Sequence, residues 1–338
     1  MTMYILRRVV LLIPTLLGVT VLTFVFSHLV PADPARLALG LAAPESQVIK
    51  YRAEHGLDDP VYIQYLRYMG RLFHGDFGIS LTSRRPVAND LREYWPATVE
   101  LVLVSFVIAF PTGIALGVLA AVRRNSFIDH VNRVVSILGV SVPVFWLAIV
   151  ALLLFYVRLP LYPGIGRIDP TVAVAHPFAK RTGLYLIDTA LAGQWPAFAS
   201  ALGHLFLPAV CLALSPIARL TRITRASMLT VLGEDYVRLA RAKGQRERRV
   251  ITRHALRNAL MPVLTVSGLI VGYALAGSVL VETVFSWPGL GTYAFKAASG
   301  SDYPAIMGVA ILTTAVFIVV NLITDVSYAM ADPRVVLD

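Results

Sequence analysis

Charge disappears from this chain six times. Segments 9–30, 101–122, 134–157, 200–218, 259–281 and 303–324 contain no Asp, Glu, Lys or Arg. A bilayer core of roughly 30 Å is crossed by about 20 apolar residues of α-helix, at about 1.5 Å per residue. A helix in a soluble core seldom stays uncharged for that length, because one face still meets water. The pattern predicts an all-α membrane protein with six transmembrane helices. The first segment follows Arg7 and Arg8, as the core of a secretory signal would, but it far exceeds the roughly 7–15 residues of such a core. Ala32-Asp33-Pro34 follows it in place of a small-residue cleavage site, so it reads as a retained anchor helix.

Composition agrees. Charged residues are 15% of the chain, against about 25% in a soluble domain. The one cysteine, Cys211, lies in an apolar run. It excludes an internal disulfide or a cysteine-based metal motif and reads as a small packing residue. With the N-terminus inside, segments 1–8, 123–133, 219–258 and 331–338 are cytoplasmic and hold 17 Lys and Arg in 67 positions. The outer segments 31–97, 158–199 and 282–302 hold 13 in 130. This excess, about 2.5-fold in density, marks the cytoplasmic side and puts both termini there. The net charge of +10 comes mostly from 219–258, with 11 basic and 3 acidic residues. No base-stacking aromatics alternate with those arginines, so no nucleic-acid partner is expected. Membrane lipid is the partner the apolar runs require.

Between the spans, segment 31–97 has Pro31, Pro34, Pro44 and Pro60, a Gly75-Asp76-Phe77-Gly78 turn, and amphipathic runs such as 62–73. Its Tyr, Leu and Phe content predicts a small folded cap of short helices and not disorder. A boundary is expected near Tyr94-Trp95-Pro96, giving residues 1–94 as an anchor helix with an extracytoplasmic cap and 95–338 as the main transmembrane domain. Segment 183–192 predicts a surface or re-entrant helix. In Phe285-Ser286-Trp287-Pro288-Gly289-Leu290-Gly291, Pro and two Gly predict a helix break. Phe285 and Trp287 are expected to anchor that turn at the membrane interface. Pro14, Pro111, Pro143, Pro208 and Pro216 predict kinks within the spans.

The chain has no Gly-x4-Gly-Lys-Ser/Thr, no His-Glu-x-x-His and no Gly-x-Ser-x-Gly. It therefore offers no P-loop for ATP, and its scattered histidines lack metal-ligand spacing. No catalytic residue, metal or cofactor is expected in it, which weighs against an intramembrane enzyme. Ionisable groups near membrane depth are Glu100, Glu282, Asp325, His28 and His204. The carboxylates lie towards helix ends and read as interfacial or paired structural charges. A proton-coupled carrier would want one mid-helix.

Segment 234–262 differs from everything around it. Glu234 and Asp235 open a helix with the negative charge its N-terminus favours. Gly244 stops it, with Arg241 and Lys243 in the last turn. A second helix is expected over 246–260, with Val250, Ile251, His254 and Ala255 on one stripe and arginines elsewhere. Ala240, Ala242 and Gly244 would let another surface approach closely. Physically this is either an element docked in a partner's groove or an amphipathic segment lying on anionic lipid.

The residues of this segment resemble the coupling loop of permease subunits of binding-protein-dependent ABC importers. That loop has Glu-Ala-Ala, three residues, Gly, nine residues, and Ile-x-Leu-Pro. Gly244 fits its glycine; Arg238, Leu239 and Ala240 take the Glu-Ala-Ala places, and only the last matches. His254, Ala255, Leu256 and Arg257 take the Ile-x-Leu-Pro places, with the leucine matched. Those departures, together with Glu-Asp-Tyr-Val-Arg-x-Ala-Arg-Ala-Lys-Gly and His-Ala-Leu-Arg-Asn-Ala, are similar to the dipeptide/oligopeptide/nickel branch. The likeness extends to Ile5-Leu6-Arg7-Arg8, Gly56-Leu57-Asp58, Ser141-Val142-Pro143-Val144-Phe145-Trp146 and 282–291. Tyr185-Leu186-Ile187-Asp188-Thr189 looks most like the dipeptide permeases.

The resemblance implies a type I ABC importer transmembrane fold. One of two related permeases would form half of a translocation path. Two cytoplasmic ATPases carrying ATP and Mg would dock on the coupling loop, through Asp235, Tyr236, Arg238, Ala240, Ala242, Gly244, Val250, His254, Leu256, Arg257 and Asn258. An extracytoplasmic substrate-binding protein would meet an outer loop containing Glu282, Phe285, Trp287, Pro288, Gly289 and Gly291. Dipeptides or short peptides lead as substrate, ahead of nickel complexes, glutathione or opines. A stand-alone carrier or channel is the remaining alternative class.

Overall fold

A computed structural model describes residues 2–29, 33–40 and 42–331. Among them the only extended pairing is an isolated bridge between Ile79 and Pro86; the rest of the regular structure is helical. In order, the helices are α1 (Thr2–Leu29), α2 (Pro34–Leu39), α3 (Glu45–His55), α4 (Val61–Phe73), α5 (Val87–Val122), α6 (Phe127–Ser141), α7 (Val144–Leu152), α8 (Pro170–Ala175), α9 (Tyr185–Leu191), α10 (Trp195–Leu232), α11 (Asp235–Ala242), α12 (Glu247–Arg249), α13 (Leu256–Val284), α14 (Leu290–Ser299) and α15 (Tyr303–Ala331). A π-helical turn, Leu153–Arg158, extends α7, and another, Val250–Ala255, joins α12 to α13.

The chain is all-α and multi-pass. Four described helices are long and apolar enough to cross a membrane: α5, α10, the continuous Glu247–Val284 rod, and Tyr303–Thr324. A fifth crossing arises if α6 and α7 are taken together, but they meet at 100°. The expected straight span over 134–157 is thus bent. Pro143 cannot donate a backbone hydrogen bond and disfavours helix at the residue before it, so Val142 is extended and α7 restarts after the proline. Within α1 the described apolar stretch is Ile13–Phe26. Val30 and the side chains of His28 and Asp325 lie outside the described residues.

The chain divides into two compact units. One comprises Leu6–Trp95 and Tyr293–Ile318; the other comprises Met1–Ile5, Pro96–Thr292 and Val319–Asp338. The division falls at Trp95-Pro96, yet α5 runs through it without interruption.

In the first unit the loop after α1 folds into the expected short helices. Asp33 caps α2 by accepting from the Ala35 N–H (3.1 Å), and Arg52 of α3 donates to its other oxygen (2.9 Å). Phe24 of α1 packs against Tyr65 and Tyr68 of α4, and burial pushes the Tyr68 phenol up to about 12. Gly75 and Gly78 take positive φ, +75° and +87°, and the Asp76 carboxylate accepts from the Gly78 N–H. Two buried carboxylates then hold loop to helix. Asp302 accepts from Ser80 Oγ and the Thr82 N–H, while Asp90 accepts from Ser83 Oγ and the Tyr293 hydroxyl.

In the second unit α10 is the hub. Its buried side chains meet α5, α6 and α13. Gly113 and Gly117 of α5 let backbone approach backbone: a Cβ at either would lie 2.6 Å from Leu220 or Thr224. Asp129 of α6, fully buried, takes both Nε and Nη2 of Arg225 at 2.6 and 2.8 Å. Against α13 the helix runs antiparallel. Leu212 lies 3.7 Å from the place of a Cβ on Gly277, and Met228 packs with Ala255 and Ala259. Cys211 is buried, as its apolar setting implied.

Candidate functional site

Two polar segments flank the α10–α13 pair, one at each end. The first is the 234–262 segment. After α10 ends at Leu232, Glu234 starts α11, and α11 ends one residue before Lys243-Gly244. Gly244 has φ +74°, and a Cβ added there would meet nothing within 4 Å. Its glycine is needed for the left-handed turn and not for closeness. The inward side of α11 is Val237 and Ala240, which pack on Val250 with Val231 and Leu232 around them. Ala240 is therefore spent on this internal core, whereas Ala242 and Gly244 are exposed.

The expected independent helix over 246–260 does not exist as such. It is the foot of one long rod, Glu247–Val284, widened by the π-helical turn at Val250–Ala255. Val250 and Ala255 face inward and are fully buried, so two of the expected stripe residues bind the rod to α10 and α11. Cross-links fix α11 to this rod. Arg241 reaches Glu247 with Nη2 at 2.8 Å and Nε at 3.2 Å. His254 Nε2 meets Gln245 Oε1 at 2.8 Å, and Asn258 Nδ2 donates to the Tyr236 hydroxyl at 2.7 Å. Leu256 is half-buried and Arg257 exposed. The outward face of α11 carries Asp235, Tyr236, Arg238 and Leu239. Tyr236 is 40% and Leu239 55% exposed, so an apolar pair sits there among charges.

The second segment is the turn after α13. Here the sequence expectation needs correcting. Phe285 and Trp287 are fully buried in protein and do not anchor the turn by exposed rings. The Trp287 indole N–H donates to the Ala97 carbonyl (2.9 Å), and Phe285 meets Tyr162 edge-on at 5.7 Å between ring centres. Glu282 is also fully buried. It accepts from Thr98 Oγ1 (2.7 Å), the Gly291 N–H (2.7 Å) and the Thr292 N–H (3.1 Å). Gly289 and Gly291 are glycine for lack of space: a Cβ would lie 2.5 Å from Glu282 Oε2 and 2.4 Å from Val279 Cα, respectively. Gly291 does not break a helix; it lies in the first turn of α14. Of the six expected outer-loop residues, only Pro288 is exposed.

Sequence reading missed several residues. Arg167 is buried, ion-paired to Glu100, donates to the Gly183 carbonyl and lies 3.7 Å over the Tyr185 ring. This makes Glu100 the paired structural charge expected of it. Asp188 closes its own loop by accepting from the Thr182 and Gly183 N–H groups. Arg219 follows the uncharged run 200–218 on a helix, α10, that continues unbroken to Leu232, and its guanidinium lies 4.7 Å over the Tyr273 ring of α13. A pairing of distant residues leaves no local signal in the chain.

Residues 113–337 match the family described as binding-protein-dependent transport system inner membrane component, and residues 1–102 match its N-terminal partner family. The dipeptide transport system permease protein DppB of Escherichia coli (strain K12) is 44% identical over 99% of both chains. The di/tripeptide transport system permease protein DppB of Pseudomonas aeruginosa (strain UCBPP-PA14) is 45% identical over 99% of both. The oligopeptide transport system permease protein AppB of Bacillus subtilis (strain 168) is 38% identical, again over 99% of both. Similarity at this level and over this length means that the chain belongs to the family of binding-protein-dependent transport system inner membrane components.

Proposed function

We propose that this chain is the permease subunit of an ATP-driven importer, forming half of a path for dipeptides or short oligopeptides. It crosses a bacterial cytoplasmic membrane six times with both termini inside. Its partners are a second, related permease, two ABC ATPases that carry ATP and Mg, and an extracytoplasmic substrate-binding protein. The observation that carries this reading is α11: an apolar pair, Tyr236 and Leu239, exposed among charges on a helix clamped to a transmembrane rod. A helix so clamped passes on any displacement that a docked ATPase imposes. Nucleotide then biases a two-state bundle between inward- and outward-facing forms, the general physics of alternating access. The coupling role falls to Asp235, Tyr236, Arg238 and Leu239 as contact residues. Ala240, Val250, Arg241, Glu247, His254 and Asn258 hold them in place. Glu282, Phe285, Trp287, Gly289 and Gly291 shape the outer turn, from which Pro288 projects.

The test is co-purification and uptake. Replacing Tyr236 and Leu239 together with Asp should abolish ATPase co-purification and uptake of labelled dipeptide, while the chain still inserts and pairs with its partner permease. Retained docking and uptake would refute the coupling assignment.

A further inference from the structure

The peptide-importer reading gives Arg219 no role. Arg219 stands in the middle of the α10–α13 pair, between the Leu212–Gly277 layer and the Met228–Ala259 layer. Its contact, Tyr273, lies inside the uncharged run 259–281, about 12 Å below residue 281 and about 21 Å above residue 259 at 1.5 Å per residue. Among the described residues no carboxylate comes within 4 Å of Arg219; the Tyr273 ring, 4.7 Å away, is the contact its guanidinium makes. Tyr273 itself is 61% exposed.

Polar and apolar positions alternate around this pair. The uncovered side of α13 carries Thr265, Leu269, Tyr273, Ala276 and Leu280; on α10 Arg219 is half-buried and Arg222, one turn further on, is exposed. A guanidinium at this depth is costly against hydrocarbon and is tolerated where it faces a water-filled cavity or a partner. Further along the same helix, Arg225 is satisfied by Asp129. Arg219 therefore has its planar fork and charge available, set against an aromatic ring that limits its rotation.

We propose that Arg219 and Tyr273 line the translocation path and form a mid-membrane site for the carboxylate of the passing peptide. The assignment rests on the importer reading above. A guanidinium takes a carboxylate bidentately, and Tyr273 supplies a hydroxyl beside it. Such a site would receive the C-terminus of any short peptide regardless of its side chains. It would need to be weak, so that the substrate leaves again.

The experiment uses the assembled transporter in proteoliposomes with Ala-Ala and Ala-Ala-amide as probes. Wild type should favour the free acid. Arg219→Gln should lower free-acid uptake by roughly tenfold, the loss of one charge-assisted contact, and bring the acid-to-amide ratio to about one. ATPase activity stimulated by the liganded binding protein should stay near wild type, and Arg219→Lys should recover part of the preference. An independent readout is Ala276→Cys, which should react with a water-soluble anionic thiol reagent where the wild type, with only Cys211 buried, does not. An unchanged acid-to-amide ratio in Arg219→Gln, loss of the partner permease from that variant, or an unreactive Ala276→Cys would each overturn the assignment. Wild type that imports neither probe would instead overturn the peptide reading, and this one with it.

Discussion

Gly244 and Gly291 are needed for different reasons, and the difference is measurable. Gly244 sits in open space at φ +74°. A side chain there costs roughly 1–2 kcal/mol of left-handed strain and clashes with nothing. Gly244→Ala should still insert and assemble, with a small loss of thermal stability in detergent and a larger loss of transport, since the strain falls on the turn that aims α11. Gly291 has ordinary φ, but its Cβ would lie 2.4 Å from the Val279 backbone. Backbone cannot step aside as a side chain can, so Gly291→Ala should lower the melting temperature well beyond Gly244→Ala. Equal effects would contradict this division. Glu282 belongs to the same scale. Its removal in Glu282→Ala leaves two buried donors and the half-buried Thr292 N–H without an acceptor. At about 1–3 kcal/mol for each buried donor, the loss should reach at least roughly 2 kcal/mol, with Glu282→Gln losing less. Thermal unfolding of the two variants side by side checks the order.

At the scale of elements, short helices depend on single polar links. Partial burial raises the Asp33 carboxyl, but the Arg52 hydrogen bond, the Ala35 N–H and the charges of Arg52 and Arg36 outweigh it, so it titrates below the ordinary 3.8. A carboxyl depressed on folding stabilises above its unfolded value and loses that contribution as pH falls through the folded one. The extra amide-exchange protection of α2 in the wild type over Asp33→Asn should thus be full near neutrality and vanish below pH 3.8. A difference that persists in acid would show that Asp33 acts by shape alone. The Arg241–Glu247 pair is half-exposed and worth only about 0.2–1 kcal/mol. Arg241→Ala should leave overall stability almost unchanged. Its effect should appear as faster proteolysis between α11 and α12, increasing with salt in the wild type but not in the variant.

For the whole molecule, the sequence discloses what depends on period and composition. The uncharged runs, the short cap helices and the stop at Gly244 all follow from local rules. Pro143 was visible as a kink, but a kink of 100° was not, because the angle depends on what α7 packs against. The outer turn was misread for the same reason. Phe285 and Trp287 look like interface anchors wherever aromatics follow a span, and only Thr98 and Ala97, some 190 positions earlier, reveal that they are interior. The contact between Arg219 and Tyr273 was not legible either, because it joins two helices more than 50 positions apart. The coupling segment was the most legible part, since its helix, turn and charges are consecutive. Its inner core of Val237, Ala240 and Val250 was less so, for it joins two elements across the turn.

The π-helical turn at Val250–Ala255 has a mechanical consequence. It makes the cytoplasmic foot and the membrane-crossing shaft one crankshaft, with α11 as its throw and no free bearing between them. A turn that holds one residue too many is also a gauge of rotation. Deleting Thr252 should restore regular winding and swing the foot by about 100° against the shaft, the rotation of one residue at 3.6 per turn. The throw would then point away from its driver. Such a protein should insert and keep its partner permease, yet lose ATPase co-purification and with it the uptake of substrate.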